Sequence, residues 1–138
     1  MSEYPFTHVE RVRFGDLDAM RHLNNVVFLR YFETARIGYI RELMPEHDPA
    51  HPEGAFGLIF AECQIVYRSP GFFDEEVRIE LRVADVRRSS FKVEFRMRVG
   101  ERVLADGYGT LVGYAYAEQR PEPLPDDLRE RLSATRPA

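Results

Sequence analysis

The sequence is poor in cysteine and has no tryptophan, with one thiol, Cys63, among 138 residues. A single cysteine excludes a disulfide within the chain, and no Cys and His residues have the spacing of a structural zinc site. This composition is typical of a protein from a reducing compartment. We therefore expect a cytoplasmic protein with no bound metal and no other cofactor.

Long apolar runs and an excess of positive charge are also missing. No stretch approaches the roughly 18 uncharged apolar residues of a membrane span, and the first residues, MSEYPFTHVERVRF, lack the apolar core of a signal peptide. The chain has 19 basic and 23 acidic residues, a net charge of −4, so it has no global positive field to hold a polyanion. We expect no membrane insertion and no nucleic acid partner.

What remains is 44% hydrophobic and 30% charged residues, enough apolar material for one globular domain over residues 1–138. Residues 24–44 contain no proline and predict one long helix. Its polar stripe is narrow, so we expect other elements to wrap around it. The apolar residues at helical spacing are Phe28, Phe32, Ala35, Tyr39 and Leu43.

Alternating apolar and polar residues predict strands on both sides of this helix. A short first strand is predicted over 9–14, with Val12 and Phe14 on its buried face. After a loop from Pro45 to Gly54, further strands are predicted over 61–67, 77–83, 91–99 and 103–116, and a short helix over 126–132. Cys63 is expected as a small core residue on the buried face of its strand.

The order of these elements indicates an α+β fold. A helix of about 20 residues spans roughly 30 Å, and strands of about 10 residues span a similar length. A curved, five-stranded antiparallel sheet wrapped around the one long helix satisfies both lengths. Such a sheet leaves strand edges exposed, so we expect the chain to associate with itself, at least as a dimer.

Residues 13–25, RFGDLDAMRHLNN, place two carboxylates and an imidazole between the end of a strand and the start of the helix. A helix N-terminus offers unpaired N–H groups that stabilise a developing oxyanion. A carboxylate just before it could attack a carbonyl carbon or deprotonate a water. The same residues could instead have a structural role in the turn, with Asn24 as a helix cap and Asp16 and Asp18 as hydrogen-bond acceptors.

The runs VRFGDLDAM over 12–20, HLNN over 22–25 and LRYFETAR over 29–36 resemble the start of the 4-hydroxybenzoyl-CoA thioesterase family, which includes acyl-CoA thioesterases associated with the Tol-Pal operon. YRSP over 67–70 and RRSSF over 87–91 are similar to its later strands, so the resemblance covers most of 7–116. It implies a hotdog fold that hydrolyses acyl-CoA thioesters at a site where two subunits meet, in a dimer or a tetramer.

The resemblance also assigns roles to particular residues. Asp18 matches the catalytic aspartate, as nucleophile or general base, and the backbone N–H of Asn25 matches the donor that polarises the thioester carbonyl. His22 either contacts substrate, orients Asp18 or makes a structural hydrogen bond. Arg21 stands where many relatives have glycine, and it is strained if its turn requires a positive φ.

Substrate contacts are expected in two further places. Arg87, Arg88, Ser89 and Ser90 lie in a tight turn where the family contacts the phosphates of CoA, although such a turn can also be a solvated hairpin. Glu62 either lines a substrate pocket across the subunit interface or belongs to a plain exposed strand face.

Two other functions are compatible with this fold. Hydration of an enoyl-CoA needs an Asp and His pair, which Asp18 and His22 could supply, but the longer hydratase motif and its overhanging segment are missing. An acyl-CoA sensor would bind without turnover, but the helix-turn-helix of such a regulator has no place in 138 residues.

Overall fold

The structure is a computed structural model that describes residues 3–47 and 57–135. The predicted loop from Pro45 to Gly54 begins with a 3-10 turn at Pro45–His47, and the rest of that loop lies outside the described residues. The elements in chain order are β1 (Phe6–Arg11), α1 (Asn25–Leu43), β2 (Gly57–Tyr67), β3 (Glu76–Ala84), β4 (Ser90–Val99), β5 (Arg102–Ala115), β6 (Arg120–Pro121) and α2 (Asp126–Ala134).

The strands form one antiparallel sheet in the order β1-β3-β4-β5-β2, to which the two residues of β6 are added beside β5. The sheet is curved and α1 packs against it, which confirms the predicted hotdog fold with one small strand more than expected. The rings of Phe32 and Phe95 lie 4.6 Å apart at the centre of this contact. The main chain of α1 therefore has a fixed position over the middle of the sheet.

Helix α1 confirms the prediction from periodicity almost to the residue. Asn24 caps it, because its side-chain oxygen accepts a hydrogen bond from the Val26 N–H at 3.0 Å. At the other end, Arg131 of α2 donates to the carbonyl of Leu43 at 3.0 Å. The residues of α1 buried in the core are Val27, Phe28, Tyr31, Phe32, Ala35, Tyr39 and Ile40.

The first strand was wrongly placed. It begins at Phe6 and ends at Arg11, and Phe14 is 78% exposed instead of facing the core. The chain leaves the sheet after Val12 and turns at once, because the N–H of Asp16 bonds to the carbonyl of Arg13 at 2.9 Å. The alternation of apolar side chains at 12 and 14 therefore continues past the end of the strand.

Strand β2 departs most from expectation, since most of its residues are exposed on both faces. Cys63 is exposed and not part of the core, which corrects the sequence-based prediction. The physical reason is that β2 lies at an edge of the sheet, and no described element covers its middle. Strands β3 and β4 lie inside the sheet, and there the predicted alternation is confirmed.

The described residues contain no helix that is long and apolar enough to cross a membrane.

Candidate active site

The loop between β1 and α1 is anchored by Asp16, whose side chain is almost wholly buried. Its carboxylate accepts hydrogen bonds from the Tyr31 hydroxyl at 2.6 Å and from the N–H of Arg13 at 3.0 Å. Burial opposes ionisation of this carboxyl, but these bonds and the Arg13 guanidinium outweigh burial and lower the pKa of Asp16 below its ordinary value. Asp16 therefore ties the loop to α1 as a buried anion.

Asp18 is held by the turn that follows it. Its Oδ1 accepts from the N–H of Met20 at 2.9 Å and from the N–H of His22 at 3.2 Å. The N–H of Asp18 in turn donates to the carbonyl of His22 at 2.9 Å. No described residue donates to Oδ2, so one carboxylate oxygen is fixed by backbone amides and the other is left for a ligand.

This turn depends on a left-handed residue at position 21. Arg21 has a φ of 65°, and its N–H donates to the carbonyl of Asp18 at 3.0 Å. The turn therefore keeps the conformation for which glycine is suited, and Arg21 adopts it with strain. That strain lies within the segment that positions the Asp18 carboxylate.

The first turn of α1 faces the same space as Asp18. The N–H of Asn25 makes no hydrogen bond to any described residue, whereas the next N–H, of Val26, is capped. Tyr67 at the end of β2 donates its hydroxyl to the Asn25 carbonyl at 3.0 Å, and its ring meets Phe28 edge-on at 5.2 Å. Strand β2 therefore steadies the helix end at which an unpaired amide is presented.

A cleft of about 390 Å³ joins these groups. Asp18, His22, Asn25, Tyr67 and Arg68 are among the residues that line it. The structure therefore brings together the three residues that the sequence placed at the chemistry, namely Asp18, His22 and Asn25. Tyr67 was singled out only as part of a similar motif, and its contact with Asn25 depends on a pairing of distant segments.

The His22 ring is not joined to Asp18 by a hydrogen bond among the described residues. It packs edge-on against Phe72, with the ring centroids 5.5 Å apart. It is the backbone N–H of His22, not the imidazole, that orients the Asp18 carboxylate. The ring itself lies at the wall of the cleft, where it can contact a ligand.

A second, more apolar cleft of about 650 Å³ lies on the other side of Asp18. Phe14, Phe72 and Phe73 line it together with Asp18 and Arg21. Sequence reasoning did not single out these three phenylalanines as site residues. The signal that could have indicated them is a Phe72-Phe73 pair directly after Pro70-Gly71, where a turn makes apolar side chains unexpected.

Arg87 and Arg88 lie at the opposite end of the sheet from Asp18. Ser90 pairs with Val112 of β5, whereas Tyr67 beside the cleft pairs with Ala105. Seven residues of strand separate these positions, about 23 Å. Within one subunit the structure therefore does not bring this turn to Asp18.

The turn itself is ordered by its own backbone. The N–H of Arg87 donates to the Ser90 carbonyl at 2.7 Å, and the Ser89 carbonyl accepts from Gly113 at 2.8 Å. The exposed Arg87 guanidinium contacts only Asp85 among the described residues, with Nε 3.2 Å from Oδ1. Both arginines are exposed to solvent.

Glu62 is also separate from Asp18. Its carboxylate accepts from the Thr110 hydroxyl at 3.0 Å. Thr110 follows Gly109, whose missing side chain points toward Phe32 of α1, so Thr110 and Glu62 lie on the face of the sheet away from the helix. The structure thus places Glu62 on an exposed outer face and not in either cleft next to Asp18.

No group of three or more His, Cys, Asp and Glu residues within 3–47 and 57–135 is arranged to hold a metal ion. The groups that the cleft offers for a reaction are the Asp18 carboxylate and the N-terminus of α1.

Comparison with known proteins adds to this geometry. The model of the thioesterase-like superfamily matches residues 12–132. A thioesterase from Thermus thermophilus, solved with coenzyme A and Zn, is 33% identical, with a TM-score of 0.82 over 100% of both chains. A member of the thioesterase superfamily from Jannaschia sp. CCS1 is 25% identical, with a TM-score of 0.84 over 98% of this chain and 85% of that one.

A 1,4-dihydroxy-2-naphthoyl-CoA thioesterase from Synechocystis shares the fold at 18% identity, with a TM-score of 0.82 over 93% of this chain and 95% of that chain. The family match begins directly after β1 and ends within α2, so it includes the Asp18 turn, the whole of α1 and every strand of the sheet except β1. The chain therefore belongs to the thioesterase-like superfamily and is a thioester hydrolase.

Proposed function

We propose that the protein hydrolyses acyl-CoA thioesters to the free acid and CoA, with Asp18 as nucleophile or general base. The observation that carries this proposal is the arrangement at the 390 Å³ cleft. There, the Asp18 carboxylate has Oδ1 held by two backbone amides, and the unpaired N–H of Asn25 lines the same space. A thioester carbonyl bound between these groups meets a nucleophile on one side and a donor on the other.

The chemistry follows from the charges. As the carbonyl carbon is attacked, negative charge develops on its oxygen, and the Asn25 N–H at the helix N-terminus stabilises it. If Oδ2 of Asp18 attacks directly, the CoA thiolate leaves and water then hydrolyses a mixed anhydride. If Asp18 instead takes a proton from water, that water attacks and the thiolate leaves in the same way.

Self-association is part of this proposal. A two-fold axis beside the exposed edge of β2 pairs the strand antiparallel with its copy and extends the sheet. Reversal of the sheet direction brings the Arg87 and Arg88 turn of the second copy to the end of the sheet that holds Asp18. The guanidinium groups then lie where the phosphates of a bound CoA emerge from the cleft.

The relative from Thermus thermophilus was solved with CoA, which favours CoA over other thiol carriers. A cytoplasmic location suits a CoA substrate and an exposed, unpaired thiol at Cys63. Dimers and tetramers both contain the β2 pair, and the activity requires only that pair.

Thiol release tests the function directly. The protein is incubated with acetyl-CoA, hexanoyl-CoA, decanoyl-CoA, palmitoyl-CoA and benzoyl-CoA, and free CoA is detected with a thiol reagent. We expect release from at least one of them. Hydration of an enoyl-CoA without thiol release would indicate a hydratase, and tight binding of acyl-CoA with neither reaction would indicate a sensor.

The proposed pairing has its own test. Cys63 lies near the middle of β2, so a two-fold axis centred on the strand brings two copies of Cys63 within a few residues of each other. A short bifunctional maleimide should trap a covalent dimer that Cys63→Ser does not form. Light scattering that gives only a 16.1 kDa monomer at micromolar concentration would contradict the shared interface.

A further inference from the structure

Arg36 of α1 is a buried cation that no part of the described chain fully satisfies. Its side chain is 10% exposed, and the guanidinium lies over the ring of Phe60 at 4.7 Å. Its Nε is completely enclosed and has no hydrogen-bond acceptor. The nearest carboxylate, Glu33, is 3.9 Å from Nη2, which is too long for a hydrogen bond, and its own side chain is 69% exposed.

A cleft of about 250 Å³ opens beside this guanidinium. Val26, Leu29, Phe32 and Phe60 supply its apolar walls, and Arg36 is part of its lining. Phe60 reaches the helix side because a bulge between Phe60 and Glu62 shifts the register of β2. Gly109 leaves the space that Phe32 and Phe60 fill, since a Cβ there would overlap both rings.

The lining of this cleft begins one residue after Asn25, which lines the cleft of the proposed chemistry. Val26 follows Asn25, and the lining residues then recur at helical spacing along one face of α1 as far as Arg36. Long helical side chains lean toward the N-terminus, so the guanidinium lies about one turn before its own backbone. That position is about 11 Å beyond Asn25 along the helix axis, or roughly ten bonds of an extended chain.

We propose that this cleft receives the acyl group and that Arg36 selects acyl groups with an oxygen acceptor, a hydroxyl or a carboxylate, at the end remote from the thioester. The inference rests on the proposed hydrolysis of acyl-CoA at Asp18. The apolar walls bind the methylene chain, and the guanidinium donates to the terminal oxygen.

The charge balance of the cleft supports an acceptor of this kind. Arg30 and Arg36 both line it, against the single carboxylate of Glu33, so an oxygen or an anion is favoured over a second cation. Burial lowers the pKa of Arg36, which is the sign of a charge that lacks compensation, and Glu33 offsets this only in part. The enclosed Nε is out of reach of a ligand, so the terminal oxygen pairs with the Nη groups, which Glu33 approaches only to 3.9 Å, and offsets part of the cost of the buried charge.

The test compares matched substrates on the wild-type protein. The value of kcat/KM for 8-hydroxyoctanoyl-CoA is compared with that for octanoyl-CoA, and the value for 10-hydroxydecanoyl-CoA with that for decanoyl-CoA. The mono-CoA thioester of decanedioic acid is a third oxygenated substrate, also compared with decanoyl-CoA. We expect kcat/KM to be about tenfold higher for the oxygenated member of at least the ten-carbon pair.

Arg36→Met keeps the aliphatic packing over Phe60 and removes the charge. We expect it to lower kcat/KM for the oxygenated substrates about tenfold relative to decanoyl-CoA and so abolish the preference, while Arg36→Lys keeps part of the preference. Arg41→Met, an exposed position on the same helix, is the matched control and should change neither value. Activity on decanoyl-CoA shows that each variant is folded.

The outcomes separate the two proposals. No thiol release from any acyl-CoA would refute the proposed function itself. Hydrolysis with equal kcat/KM for both members of each pair, or a preference that Arg36→Met retains, would refute only the role of Arg36. Conversion of Arg36→Met to monomers would also overturn it, because a second copy of the chain would then be the partner of the guanidinium.

Discussion

Replacement of Asp18 by asparagine isolates the charge of the proposed catalytic group from its structural bonds. In the native turn, Oδ1 accepts from the N–H groups of Met20 and His22. The amide oxygen of asparagine can accept both bonds, and the new NH₂ group occupies the position of Oδ2. The substitution therefore keeps the turn and removes only the negative charge and the nucleophilic oxygen.

The expected magnitudes differ widely between stability and activity. Because both backbone bonds to Oδ1 are kept, the free energy of unfolding should change by less than about 0.5 kcal/mol. Loss of a positioned base or nucleophile lowers kcat by about 10²-fold to 10⁴-fold, equivalent to about 3–5 kcal/mol of transition-state stabilisation. Affinity for a non-hydrolysable CoA analogue should be little changed, because the proposed contacts of its phosphates are with Arg87 and Arg88 and not with this carboxylate.

Three measurements check this expectation: kcat by thiol release, stability by urea unfolding, and binding of the analogue by calorimetry. Asp16→Asn is the matched control, since the same chemical change there removes a buried anion and should cost about 1–3 kcal/mol of stability. Near-normal kcat in Asp18→Asn, together with loss of activity in a His22 variant, would refute the assignment and place the catalytic group elsewhere in the cleft.

Three further predictions concern the surrounding residues. The lowered pKa of Asp16 contributes stability that is fully present above the unfolded pKa of about 4 and is lost as the pH falls through the folded pKa. The melting temperature should therefore fall more steeply between pH 6 and pH 3 for the wild-type protein than for Asp16→Asn. Arg21→Gly should leave the free energy of unfolding unchanged or raise it by up to about 1 kcal/mol. Arg21→Val should lower both that free energy and the activity, because a β-branched residue at a φ of 65° is strained; urea unfolding measures the first and thiol release the second. Alanine at both Arg87 and Arg88 should raise KM for acyl-CoA with a smaller change in kcat, and equal KM values at low salt would indicate a solvated hairpin.

Elements with a strong local pattern could be predicted from the sequence. Helix α1 was located because its apolar residues recur at helical spacing and Asn24 is a good cap, and both features act within a few residues of each other. Strands β3 and β4 were located because each has sheet neighbours on both sides and one face on the core, which favours alternation of apolar and polar residues. In these segments local preference and tertiary contacts agree.

Strand β2 shows where such reasoning fails. Its alternation of apolar and polar residues predicted one buried face, yet most of the strand is exposed and Cys63 is not in the core. The pattern reports which side chains are apolar and not what covers them. A strand that is covered by a second copy of the chain needs apolar residues at its edge. The proposed dimer therefore explains why β2 alternates apolar and polar residues although most of it is exposed in one subunit.

Arg36 shows the same limit within the site. Its spacing from Glu33 predicts an ion pair on a helix face, and the structure has that pair at 3.9 Å. The burial of Arg36 has a non-local origin, because Phe60 covers the guanidinium only through the bulge in β2 and the space left by Gly109 of β5. A pair that would be worth little on a solvated helix thus becomes a buried cation with an unpaired nitrogen. The buried charge retains a cost until an acceptor pairs with its Nη groups, and in the proposal the cleft beside them admits a substrate oxygen that does so.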